Sequence, residues 1–222
     1  MTKDGLPSRI YDIRFFHGEQ HCYLVGLEDA VAYGRRIAMF LNGENYSLGA
    51  YPALYIFLTP ELEPGSVQVT DIGAEWWHRH TLVGVPADFP VMENASDLVK
   101  NGTVNALKTI RPDLSAVVDS ADHIVRTQGD ELRFLLRSHQ TKRSLVEISF
   151  NVGTWPAPSN IFTSLTDMET GDYLDAPGLP IPFYSEAFAY NGPIRMSQIE
   201  AERSTFVRRR RPVMSKLVRR RG

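Results

Sequence analysis

Residues 53–58 read ALYIFL, six apolar residues in a row held between Pro52 and Pro60. The run is far too short to cross a bilayer, and its proline bounds keep it out of a longer helix, so it reads as a buried strand. Toward the N-terminus, residues 9–16 (RIYDIRFF) place Tyr11, Ile13 and Phe15 at alternate positions, the period of a half-buried strand. A polar loop, HGEQHC at 17–22, follows. The spacing of Ala30, Val31, Gly34, Ile37, Ala38 and Leu41 predicts a helix over 26–41, closed by Asn42-Gly43. Toward the C-terminus, SVQVTDI at 66–72 alternates behind a Pro64-Gly65 turn, and WWHRHTLVGV at 76–85 reads as the next strand.

A helical segment follows over 96–110, capped by Ser96 or Asn94, with Leu98, Val99, Leu107 and Ile110 inward and Asn101-Gly102 weakening its first half. After Pro112, the stripe Leu114, Val117, Val118, Ala121, Ile124 and Val125 predicts a second helix that stops at Gly129. The two form an αα-hairpin. The remainder reads as β-rich. Residues 131–137 and 145–152 flank a polar turn, 161–167 and 173–174 flank a turn-rich METGD, and Pro177, Pro180, Pro182 and Pro193 predict an irregular path over 176–193. The expected fold is α+β, with one mainly antiparallel sheet, an N-terminal helix, a central αα-hairpin and a basic C-terminal tail. Residues 1–202 read as a single α+β domain, with a sub-boundary near 88–93 or at 129 as the alternative, and 203–222 as an Arg-rich tail.

That tail, RSTFVRRRRPVMSKLVRRRG, carries nine of the 24 Lys+Arg and no acid. The other 202 residues hold 15 basic and 26 acidic side chains, so a formal −11 faces a formal +9, and the net −2 hides a dipolar molecule. Such asymmetry points to an anionic partner or to docking on the chain itself. Arg208, Arg209, Arg210, Arg211, Lys216, Arg219, Arg220 and Arg221 are the candidate contacts. Arginine suits them to phosphate or carboxylate, and Phe206-Val207 and Val213-Met214 supply apolar anchors between the blocks.

Two further constellations carry chemistry. His17, His21 and Cys22 in HGEQHC, with His78 and His80 two apart on a strand, supply metal-ligand types in weak spacing; a polar loop plus a strand with an exposed face is the plainer account of them. Trp76 and Trp77 on a strand point to opposite faces, and a surface Trp beside Arg79 suits a protein interface, the alternative being burial of both rings. Phosphate loops, nucleophile elbows and CxxC or HExxH motifs are absent from the sequence. Cys22 is the only cysteine, so no internal disulfide forms.

The expectation is therefore a non-enzymatic interaction protein without a cofactor. Another protein is the expected partner, a homo-oligomer is compatible, and no membrane span is expected. The tail binds an anionic surface in trans or in cis. One alternative is RNA or DNA association through the tail; another is an enzyme with a histidine-centred site, with or without a metal. With no secretory leader in the sequence, a cytoplasmic location is expected, or a nuclear one in a eukaryotic host.

Overall fold

The computed structural model describes residues 7–18, 22–70, 75, 77–190, 194, 199 and 203–217. The chain is α+β and divides into two compact units between Gly129 and Asp130, each built on its own sheet.

In the first unit, β1 (Asp12–His17) and β2 (Cys22–Tyr23) form a short antiparallel pair before α1 (Glu28–Gly43). β3 (Ala53–Thr59), β4 (Val67–Thr70) and β5 (His78–Gly84) follow, then α2 (Ala95–Ile110) and α3 (Ser115–Gln128). The strand order is β2-β1-β3-β5-β4. ALYIFL is its central strand, parallel to β1 on one side and to β5 on the other. A helix between two neighbouring strands returns the chain to the end where it started, which makes those strands parallel; α1 does this between β1 and β3. β4 reaches only the edge, antiparallel to β5.

Two glycines set how closely the helices approach this sheet. A Cβ on Gly34 of α1 would lie 2.5 Å from the Phe15 ring, and one on Gly102 of α2 would lie 2.7 Å from Val83. Ile13, Phe15, Leu54, Ile56, Leu58 and Val83 form the apolar face of the sheet, with Ile37, Leu41, Val99 and Leu107 from the helices buried in the same unit. α3 buries Val118, Ala121 and Val125. Tyr33 of α1 donates to Asp122 of α3, while Lys108 of α2 meets Asp119 of α3 at 2.5 Å.

The second unit contains β6 (Arg133–Gln140), β7 (Ser144–Asn151), β8 (Ser159–Asp167), β9 (Tyr173–Asp175), β10 (Leu179–Ile181), β11 (Val207–Arg208) and β12 (Met214–Lys216). Its order is β11-β9-β8-β7-β6-β12, with β10 also on β8. All pairs are antiparallel except β12 on β6, and a bulge interrupts β6 between Leu135 and Arg137. Phe134, Val146, Phe150, Ile161 and Leu165 are buried on one face, where Phe188 from a short 3-10 segment meets Phe150 edge-on at 5.6 Å.

The expectation of one mainly antiparallel sheet is corrected to two mixed sheets. The reason is topological: α1 enforces parallel pairing in the first, and the C-terminal segment adds a parallel edge strand to the second. The proline-rich stretch also holds an unexpected short strand, β10, at an edge position where proline is tolerated. Among the described residues, no helix is long and apolar enough to cross a membrane.

Candidate functional site

Two sheet faces gather the residues that the sequence singles out. The first lies on the side of β1, β3 and β5 away from the apolar face. Register places Arg14, Tyr55 and His80 side by side, with Phe16 and Phe57 one step along. Because β5 alternates, His78 and His80 share this face, their rings stacked at 4.6 Å. Tyr55 stacks on His78 at 4.1 Å, Trp77 meets His78 at 4.2 Å, and Phe16 stacks on Phe57 at 5.0 Å.

Arg14 borders the cluster. Its guanidinium bonds Asp12 at 2.6 Å and donates to the hydroxyls of Tyr23 at 3.1 Å and Tyr55 at 3.3 Å. Burial lowers the Arg14 pKa, but the bond and charge of Asp12 outweigh this, so the net shift is upward. Burial raises the pKa of Tyr55, with Arg14 partly opposing. His78 is 5 % exposed, and its Nδ1 has no hydrogen-bond partner among the described residues. Its pKa is lowered, first by burial and next by the neighbouring His80. A neutral, ring-packed imidazole is the consequence.

The histidine constellation does not assemble. His17 is adjacent to Phe16 on β1 and so takes the opposite face from His78 and His80; its ring meets Phe89 at 5.1 Å. Cys22 pairs with His17 and is exposed. Among the described residues, no group of three or more His, Cys, Asp or Glu is placed to hold a metal. Arg79, between the two histidines in sequence, also faces away from them, level with buried Leu54. Its buried Nε has no hydrogen-bond partner among the described residues. Trp77 and Arg79 therefore do not form one patch. His21, Trp76, Arg219, Arg220 and Arg221 lie outside the described residues.

The second face belongs to the second unit, and sequence reasoning missed its core. Arg133 of β6 reaches over β7 and β8 to Asp175 of β9. Its two terminal nitrogens bond the carboxylate at 2.9 and 2.6 Å, and its guanidinium carbon lies 3.6 Å from the centre of the Phe162 ring. Ser164 donates to Asp175 at 2.7 Å, and the Tyr173 hydroxyl lies 2.7 Å from Ser164 Oγ. The pair is well buried, with side chains 12 % and 3 % exposed, and each polar group of this network is bonded. Nothing local announces a contact spanning 42 positions; the only sequence clue is a charged residue at an inward position of an alternating strand.

Part of the tail lies across this same face. Val207 and Arg208 pair with Asp175 and Leu174, and the Arg209 amide donates to Tyr173 O at 3.1 Å. Met214, Ser215 and Lys216 pair with β6 on the opposite edge. Midway, Nη2 of Arg211 lies 2.7 and 2.8 Å from the two oxygens of Glu147 on β7. Glu147, Ser164 and Asp175 are in register, which fixes the face. Arg208 also pairs with Asp172. From β11 to β12 is five strand spacings, about 24 Å flat, and the six steps from Arg208 to Met214 reach only about 20–22 Å when extended. The sheet must therefore curl enough to bring its two edges closer together than their flat separation. Arg209, Arg210 and Lys216 are exposed.

Comparison with protein-family models, with curated proteins and with solved structures finds no match to this chain.

Proposed function

We propose that this chain is a non-enzymatic interaction protein. Its acidic body engages a basic or amphipathic protein surface through the Trp77 region, and its arginine-rich segment works in cis. One observation carries the reading: an arginine block that a solvated or trans-acting tail would leave open meets carboxylates of its own sheet, Arg211 on Glu147 and Arg208 on Asp172. Charge segregation then serves the fold at one end and leaves the acidic excess of the body for a partner. The half-buried Trp77 beside Tyr55 and His78 is the kind of aromatic anchor that concentrates binding energy.

The test is a salt-graded pull-down with the immobilised full chain. A protein held at moderate salt, lost in Trp77→Ala and retained in Arg208→Ala/Arg211→Ala, is the expected outcome. A monomeric protein that retains nothing at moderate salt, or a capture indifferent to Trp77, overturns the reading.

Exposure of Arg209, Arg210 and Lys216 favours a second reading, phosphate contact through the segment. Binding to a DNA duplex would then weaken with salt at a log–log slope of about −0.9 per phosphate contacted. Equal affinity after deletion of 203–222 would remove it.

A further inference from the structure

We propose that the face of the second sheet beneath residues 207–216 is a docking groove for an extended, arginine-bearing peptide, and that the chain's own segment is its intramolecular occupant. This rests on the cis reading of the arginine-rich segment given above. Charge and geometry together define the guest. Glu147 sits in the middle of the crossing with its side chain 5 % exposed, a buried carboxylate that needs a cationic partner. The β9 and β6 edges take main-chain pairing at either end, two residues on one and three on the other. Such pairing is largely indifferent to side chains, so any extended strand meets it, and the arginine over Glu147 supplies the selectivity. A proline between the edges, as at Pro212, costs no ladder bond and favours extension.

The occupant is held in a way that permits exchange. Its arginine side chains stay open to water, Arg208 at 74 % and Arg211 at 49 %. Of its residues, only Ser215 is buried. Few buried apolar contacts and short ladders are the marks of a segment that opens locally before the rest of the fold. The floor is also incompletely used. Ser149 on β7, in the same row of alternate residues as Glu147, is fully buried, yet its Oγ has no hydrogen-bond partner among the described residues. Beneath the segment, Arg133 and Asp175 satisfy each other, so vacating the groove leaves one buried carboxylate without its partner, Glu147, beside the more exposed Asp172, rather than a collapsing network.

A fluorescently labelled synthetic peptide of residues 203–217, titrated into the full chain at low salt and followed by anisotropy, tests this. Arg211→Ala weakens the tethered occupant, so the variant binds the peptide at least tenfold more tightly than the wild type. Adding Glu147→Gln removes that gain. Equal affinity of wild type and Arg211→Ala overturns the proposal. A second measurement needs no variant. Unlabelled peptide on the order of 10 mM, above the millimolar effective concentration of a tethered segment, accelerates hydrogen exchange at Met214–Lys216 in the wild type. Unchanged exchange overturns the proposal as well. Neither readout involves Trp77 or an outside protein, so the groove and the partner reading fail separately.

Discussion

Beyond their apolar faces, the two sheets carry very different second faces. In the first unit the second face is ring upon ring: Phe16, Phe57, Tyr55, Trp77 and two histidines, with the charge confined to Arg14 and Asp12 at the border. In the second unit it is a polar floor, with Arg133 and Asp175 locked together and Arg211 brought in from the C-terminus to meet Glu147. Both solve the same problem, polar atoms inside a sheet protein, by opposite means. The ring face packs its buried histidine among aromatic rings, where burial disfavours the charged form of His78. The polar floor sets each buried side chain of an ion pair against an opposite partner. A buried charge is tolerable only with its partner in place, so the second solution is more brittle toward loss of one member.

The sharpest way to break the comparison is Asp175→Ala. It strands the Arg133 guanidinium under cover and should cost about 3–5 kcal/mol in urea unfolding, whereas joint replacement of Arg133 and Asp175 by apolar residues of similar volume should cost far less. A single-variant loss below about 1 kcal/mol would mean that water reaches the pair. Next in size is a contrast within that floor. Ser164→Ala removes a donor to the buried Asp175 and the nearer of two acceptors of the Tyr173 hydroxyl, leaving its 3.2 Å bond to Asp175, an expected loss of about 1–3 kcal/mol, while Ser149→Ala deletes a hydroxyl with no partner among the described residues and should be neutral or slightly stabilising. Equal losses would show that the described network does not distinguish the two serines.

The ring face should respond to acid. His78 in the folded chain titrates below 6.5, lowered by burial and then by His80, with Arg14 adding to this and Glu75 opposing it. The unfolded chain therefore takes up the proton first. The stability tied to His78 is complete above pH about 6.5 and falls as pH drops below that value. Urea midpoints at pH 7.5 and 5.5 should differ less for His78→Phe, which keeps the stacked ring, than for the wild type. An identical pH slope would place the proton elsewhere.

Much of the secondary structure is legible in particular residues. ALYIFL between prolines can only be a short buried segment, and the central strand is there. Alternation at Val146, Ile148, Phe150 and Val152 marks a strand with one apolar face, and β7 covers most of it. The candidate site was less legible. HGEQHC and HRH look alike as ligand sources, yet His17 takes the opposite face from His78 and His80, because alternation sorts residues within a strand and says nothing about which parity of one strand matches which parity of another. Gly102 reads as a weakness in α2 until Val83 is seen against it.

From the order of residues alone follow the period of each element, the absence of a disulfide partner for Cys22, and the concentration of positive charge at one end of an acidic chain. These depend on neighbours a few positions away and on simple addition. Strand direction, inter-strand register, the meeting of Arg133 with Asp175 and the destination of Arg211 were settled by the tertiary structure. Each depends on which distant segments share a sheet, a choice made by the packing of the whole unit and written in no local stretch of it.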